Sequence, residues 1–492
     1  MNILGISAGF HDAAATVVSP QGDILFAGHS ERYSRKKNDA NICQGLLDEV
    51  LEYGPDVVAY YERPWLKQLR QCYAGQGIEW NKLFVRQVLN HQLGRQIDFE
   101  RTFSFNHHLS HAAAGFQTSW FDRATVVVID AVGEWDTVSI WAAEYNGRGH
   151  AKYKKLWSQR YPHSIGLFYS AVTKRVGLHP LDEEYITMGM AAWGRNQYEM
   201  CMEELVLDDA WEIRFKNNLH AGLSPDWMSG LSHEDIAATA QAVTEKLINN
   251  VMIRARSYKW SENLVYQGGV ALNCLANRNL GQYFDDIWIM PNPGDAGSSL
   301  GAAALAYGKR IKWNTAFLGH DIVGTYPVDD LVKTLLSDQI VGVASGRAEF
   351  GPRALGNRSL LADPRGSAIK DQVNSIKRRQ KFRPFAPVIL AEKVNAYFDM
   401  PRGWGHSPYM QSVASCLAPE QFPAICHVDN TGRVQTVPPD GSGIRQLLEK
   451  WYTRTGCPML LNTSLNIRGE PMVNDRADAD RFEMLYGVKV CS

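Results

Sequence analysis

The chain has 492 residues, with 51 Lys+Arg against 52 Asp+Glu, so its formal charge of −1 gives no global pull toward nucleic acid or a membrane surface. Hydrophobic residues make up 45% and charged ones 21%, as in an ordinary globular protein, and the length calls for at least two domains. The eight cysteines (43, 72, 201, 274, 416, 426, 457, 491) include no Cys-x-x-Cys pair, which argues against a disulfide framework or structural zinc and for a reducing cytoplasm.

The opening MNILGISAG has neither the basic segment nor the apolar core of a signal peptide. Nowhere do about 18 apolar residues run together, as a membrane span would need. Residues 2–28, NILGISAGFHDAAATVVSPQGDILFAG, read as strand, small polar turn, strand, glycine turn, strand. Residues 124–148 repeat that rhythm. In each, an apolar strand reaches an oxygen-bearing residue, Ser7 or Asp130, and a glycine follows, Gly9 or Gly133. A second strand and a PQGD or YNGRG hairpin turn complete the unit. Two matching meanders predict a duplicated α/β domain with its ligand between the halves. Two unrelated hairpins are the alternative.

Between the meanders, NHHLSHAAAG (106–115) places three histidines inside five residues. His107 and His111, at i and i+4, share one helix face, while His108 points elsewhere. That spacing suits a metal pair and a helix cap equally well. Asp130 and Asp295 are the available carboxylate partners. Two imidazoles with one or two carboxylates suit a first-row divalent metal with open positions, iron(II) first and magnesium as the alternative.

Further along, VYQGGVALNCLANRN (265–279) reads as a strand, a Gly-Gly turn and a helix start, and MPNPGDAGSSLGAAALAYG (290–308) as a Gly/Pro loop feeding a small-residue helix. Glycines at such turns let backbone N–H groups approach phosphate or ribose. Gly133, Gly268, Gly269, Asn273 and Gly294 are the candidate nucleotide-binding positions. The Trp-containing stretch 193–230 is the candidate for acceptor loops. IKWNTAFLGHDIVGTYPVDD reads as a linker, and the boundary falls near residue 325, giving domains 1–325 and 326–492.

The second domain is rich in cations. GRAEFGPRALGNRSLLADPR (346–365) holds four arginines and three glycines, and NSIKRRQKFRPFAP (374–387) adds five more basic residues. GRVQTV and LLNTSLNIRGEP follow. A solvated helix face and a nucleic-acid patch are the plain alternatives. Glycine and rigid proline turns fix the direction of these side chains, and arginine forks match phosphate oxygens bidentately. Each buried charge-assisted bond contributes about 1.5–3 kcal/mol. A small phosphorylated ligand is the favoured reading.

HHLSHAA, DAVGEWDT, YQGGVALN and NPGDAGSS, with EFGPRALGNRSLLADPR, KFRPFAPVI, RVQTV and NTSLNIRGEP, together resemble the O-carbamoyltransferase family of nodulation-factor and antibiotic-tailoring enzymes. They cover nearly the whole chain in order. The resemblance implies an α/β fold: a duplicated actin/sugar-kinase-like (ASKHA) N-terminal domain and a second, YrdC-like α/β domain. It implies that ATP and carbamoyl phosphate give carbamoyl adenylate in the second domain. In the first domain an acceptor hydroxyl then attacks the adenylate and releases AMP. The family's metal ligands fall on His107, His111, Asp130 and Asp295. Its anion ligands fall on Arg353, Lys377, Arg383, Arg433, Asn462 and Ser464. In SAGFHDAAA, His11 matches an active-site histidine and is the candidate base, with a turn-capping role as the equal alternative. Lys36 matches a cleft lysine, with Lys37 an equal candidate.

A carbamoyl carbonyl is a poor electrophile because its nitrogen donates into it, so a good leaving group and oxyanion stabilisation are both needed. EEYITMGMAAWG (183–194) departs from the family pattern, which leaves the acceptor open: a sugar, an antibiotic or a hydroxymethyl pyrimidine, as in compact phage members. Nucleic acid enters only as acceptor, no membrane is involved, and an oligomer is compatible. The alternatives are a threonylcarbamoyl transferase acting on tRNA and a non-catalytic ATP-binding switch. The second leaves the arginines after residue 346 unexplained.

Overall fold

The structure is a computed structural model and describes residues 1–94, 99–207 and 213–492. The chain divides into two compact units. The first comprises residues 1–34, 38–276 and 280–315, and the second residues 35–37, 277–279 and 316–492.

The first unit contains two sheets of the same design. In one, β1 (Asn2–Ser7), β2 (Ala14–Val18) and β3 (Ile24–His29) form an antiparallel meander; β4 (Pro55–Tyr60) and β5 (Arg101–Ser104) add in parallel beyond β1. The order is β3-β2-β1-β4-β5. In the other, β6 (Arg123–Gly133), β7 (Asp136–Tyr145) and β8 (Ala151–Arg160) form the meander, and a short hairpin of β9 (Val206–Leu207) and β10 (Arg214–Phe215) stands outside it. Parallel strands β11 (Asn263–Gln267) and β12 (Asp286–Trp288) complete the order β8-β7-β6-β11-β12. The duplication expected from the matching meanders is therefore present strand for strand, as an actin-like fold. The strands β1, β4, β6 and β11 are buried almost throughout, because helices cover parallel strands on both faces.

Helices His107–Phe116 and Ser298–Tyr307 pack against these sheets, and their small residues let them approach closely. A Cβ on Gly301 would fall 1.8 Å from the Ser110 carbonyl oxygen, and one on Gly5 would fall 1.9 Å from that of Ser299. The alanine-rich texture after Asp295 thus brings the Asp295 turn beside the histidine helix.

The second unit is a mixed α/β body. Its six-stranded sheet runs Gln435–Val437, Ala386–Leu390, Met459–Ser464, Arg358–Ala362, Ile340–Ala344 and Val490–Cys491. Helices Val328–Asp338 and Gly443–Thr455 contribute Leu331, Leu335, Leu447, Leu448 and Trp451 to its core. The stretch expected to be a linker contains the strand Phe317–Ile322, which pairs antiparallel with Gly346–Glu349. No helix among the described residues is long and apolar enough to cross a membrane. All eight cysteines are free.

Candidate functional site

Asn106 caps the histidine helix by accepting the Leu109 N–H at 3.1 Å. This cap sets His107 and His111 on one face, where they meet Asp130 from β6 and Asp295 from its Gly-rich turn. One ligand atom from each of the four lies within 4.8 Å of the others, and all four side chains are buried. The two Nε2 atoms are 3.1 Å apart. Asp295 Oδ1 is 3.2 Å from His111 Nε2 and 3.3 Å from His107 Nε2, and Asp130 Oδ2 is 3.4 Å from His107 Nε2.

The outer nitrogens decide what this arrangement can hold. His111 Nδ1 faces the Pro293 carbonyl at 3.1 Å, a pure acceptor, so Nδ1 carries the hydrogen and Nε2 presents a lone pair. His107 Nδ1 lies 3.6 Å from Glu62 Oε2, on the side away from the cluster. Two Nε2 atoms 3.1 Å apart between two carboxylates call for a proton or a metal cation among them, and the donor set fits a divalent metal.

Electrostatics point the same way. Burial would lower the His107 pKa, but Asp295 and Asp130 override it and raise it well above the usual value. Burial would raise Asp295, and His107 and His111 instead hold it well below the carboxylate range. His11 adjoins this cluster. Its Nε2 is 4.0 Å from Asp295 Oδ2 and its Nδ1 is 3.3 Å from Asp12 Oδ2. Burial opposes its charge, yet Asp12, Asp295 and Asp130 bring its pKa up to about 9.

The glycine turns hold these ligands in place. Gly269 N–H donates to Asp130 Oδ1 at 3.0 Å, and Gly268 N–H to the Pro293 carbonyl at 2.9 Å. Gly268 has φ +92°, and a Cβ there would meet the Ile129 carbonyl at 2.1 Å, so only glycine fits. A Cβ on Gly133 would strike the His107 ring at 2.4 Å. Asn273 pairs both ways with the Gln241 amide at 3.0 Å, and Gly294 opens the turn that carries Asp295. His108 turns away, as its spacing required, to bond Ser139 Oγ at 2.7 Å. Lys36 groups with the second unit. The stretch 193–230 includes residues 208–212, which lie outside the described residues.

In the second unit, one carboxylate oxygen organises the cationic loop. Glu349 Oε1 accepts N–H bonds from Leu355, Gly356, Asn357 and Arg358 at 2.8–3.2 Å. Gln435 holds the Leu355 carbonyl at 2.9 Å, and Asn462 Nδ2 holds that of Ala354 at 3.1 Å. The half-buried Arg353 is therefore presented by a loop pinned from both sides. Lys377 Nζ reaches Ser464 Oγ at 3.2 Å and Asn466 Oδ1 at 2.9 Å, so Lys377 and Ser464 do meet. Burial, and then Arg379 and Arg383, push the Lys377 amine well below its usual range. Arg433 Nε and Asn462 Oδ1 are buried without a partner among the described residues.

Of the four arginines in 346–365, the three outside the expected anion-ligand set serve the fold. Arg358 is fully buried and donates five bonds to backbone carbonyls; Arg347 bonds the carbonyls of Leu318 and Gly319; Arg365 pairs with Asp363. Arg353 alone of the four remains a candidate ligand.

The profile for the carbamoyltransferase N-terminus matches residues 61–304, and that for the carbamoyltransferase C-terminus matches residues 332–491. Nodulation protein NolNO of Sinorhizobium fredii is 30% identical over 95% of this chain and 76% of its own. The chain belongs to the carbamoyltransferase family. An uncharacterised protein of Synechocystis sp. is 35% identical over 98% of this carbamoyltransferase and 94% of its own length. A 3'-hydroxymethylcephem-O-carbamoyltransferase of Amycolatopsis lactamdurans is 27% identical over 95% and 94%.

The carbamoyltransferase carries one supporting residue that sequence reasoning passed over. Glu62 is buried, with Oε1 held by Lys67 Nζ at 2.7 Å and Oε2 facing His107. Burial would raise its pKa, but Lys67 and His107 keep it below the usual value, so it stays ionised. It follows the apolar strand DVVAYY, the same strand-end position that singled out Ser7 and Asp130. Glu62→Gln is expected to weaken metal affinity about 10–100-fold, read by competition against a chelator, because a carboxylate behind a ligating imidazole orients it and raises its basicity.

Proposed function

We propose that this carbamoyltransferase forms carbamoyl adenylate from ATP, carbamoyl phosphate and water on residues 326–492, releasing phosphate and pyrophosphate, and transfers the carbamoyl group to an acceptor hydroxyl on residues 1–325. The observation that carries the reading is the buried pair of inward-facing imidazole nitrogens, flanked by Asp130 and Asp295 and adjoined by His11. A divalent cation held there, iron(II) rather than magnesium, supplies positive charge to phosphate and carbonyl oxygens.

The chain's own residues do the rest. Arg353, Arg383 and Arg433 take phosphate oxygens, and Asn462, Ser464 and Lys377 shape the turn beside them. Gly269 and Gly294 offer side-chain-free turns beside the cluster for the nucleotide, and Gly133, Gly268 and Asn273 pack those turns in place. In the transfer step the acceptor oxygen bonds to the carbamoyl carbon, the carbon–phosphate oxygen bond breaks, and AMP leaves with its electron pair. The acceptor's proton passes to Nε2 of His11 in its neutral form, with Nδ1 held by Asp12. The Amycolatopsis relative is named for a hydroxymethylcephem acceptor, which favours a hydroxymethyl group here too. A cytoplasmic setting supplies both phosphorylated substrates.

AMP release is expected to require carbamoyl phosphate and to rise with a hydroxylated acceptor, and mass spectrometry is expected to find the carbamoyl group on that acceptor. Labelled threonine is expected to give no transfer. ATP turnover indifferent to carbamoyl phosphate would overturn the reading.

A further inference from the structure

Helix Pro64–Tyr73 begins two residues after Glu62 and lies between the two turns that carry the site. At its start, Lys67 reaches Glu62 and sits 5.7 Å from the Phe10 ring, next to His11. At its end, Tyr73 packs on Trp135, beside Glu134 and Gly133, at 5.4 Å between ring centroids. Trp65, Leu69 and Tyr73, at i, i+4 and i+8, form one exposed apolar stripe, 49%, 49% and 70% accessible.

Arg70, on the same helix, is only 8% exposed. Its Nε is buried without a partner, and its guanidinium makes no hydrogen bond or ion pair with any described residue. Burying a charge without a counter-ion is costly, so such a fork in a family of small-molecule enzymes points to a ligand. Glu62 is near enough to bear on Arg70, but its two oxygens already face Lys67 and His107. Beyond Arg70 lies Tyr161, whose hydroxyl accepts from Asn218 Nδ2 at 2.8 Å and stands 3.4 Å from His220 Nδ1. His107 turns Nδ1 to the Glu62 side and Nε2 to the cluster, so an anion at Arg70 is distinct from any oxygen at the cluster.

We propose that Arg70, with Tyr161 and Asn218, binds an anionic group on the acceptor, and that the Trp65–Leu69–Tyr73 stripe receives its ring. The acceptor class is then a small hydroxymethyl-bearing ring compound with a carboxylate or phosphate set apart from the hydroxyl that reacts. This rests on the carbamoyl-transfer reading for the word acceptor; the anion site itself does not.

The test is binding to the full chain, read by tryptophan fluorescence. The probes are para-hydroxymethylbenzoate against its methyl ester, and hydroxymethyldeoxycytidine monophosphate against the free nucleoside. Wild type is expected to bind at least one anion about tenfold or more tighter than its neutral partner, and Arg70→Gln to abolish that preference. Arg70→Lys, which keeps the charge but not the fork, is expected to retain part of it, and thermal unfolding shows that each variant folds. Equal binding of acid and neutral form by wild type, no binding of either pair, or an undiminished preference in Arg70→Gln would overturn the proposal. Carbamoyl-phosphate-dependent ATP turnover of the wild type tests the transfer reading separately, so the two failures are distinguishable.

Discussion

His111→Ala is expected to leave the protein without bound metal and to slow carbamoyl transfer about 100- to 1,000-fold, the equivalent of about 3–4 kcal/mol of lost charge stabilisation. His111 is the telling position because its Nε2 faces all three other donors while its Nδ1 is anchored on Pro293. Its removal takes away a lone pair and keeps both carboxylates. Carbamoyl-phosphate-dependent ATP turnover is expected to persist, since the proposed adenylate-forming residues lie in the other unit. Metal content after anaerobic reconstitution with iron(II), measured by mass spectrometry, and transfer from pre-formed carbamoyl adenylate are the two readouts. A variant that still binds one metal per chain with wild-type affinity would remove His111 from the ligand set. Loss of ATP turnover together with transfer would break the division of labour.

The parts of this protein legible in the sequence are those written in local patterns. Each meander announces itself by short apolar strands and a glycine hairpin, so the duplication could be read before the strand order was known. The i, i+4 histidines name their own helix face, and Asp130 and Asp295 stand where strand ends and turns must point. Glu62 sits at an equivalent strand end, yet only the distance from its carboxylate to His107 reveals its role. The misreadings are non-local. Strand Phe317–Ile322 has too few neighbours in sequence to look like more than a linker, because its partner begins at Gly346. Composition alone does not tell the guanidinium of Arg353, which the resemblance picked out, from the neighbours that tie carbonyls together. Glu349 likewise fills the backbone N–H nest that a glycine-rich loop suggests is meant for phosphate.

That distinction makes the second large prediction a contrast between neighbours. Arg358→Met is expected to cost about 3–5 kcal/mol, because it removes five hydrogen bonds from the carbonyls of Ser345, Gly346, Asn357, Asn474 and His320. For a body of this size that loss lowers the midpoint of its unfolding transition by about 6–20 °C, measurable by scanning calorimetry. Arg353→Gln, five residues away on the pinned loop, is expected to leave that midpoint in place. It should instead reduce carbamoyl-phosphate-dependent ATP turnover about 100-fold, as the loss of one preorganised donor to a charged oxygen does. Were Arg353→Gln to unfold the protein and Arg358→Met to lose only turnover, the assignment of structural and ligand-facing arginines would be reversed. The same measurement weighs Lys377, whose Nζ donates to the Ser464–Asn466 turn as Arg358 donates to its carbonyls. A fall in stability alone in Lys377→Met would place it with Arg358, and a loss of turnover at full stability would place it with Arg353.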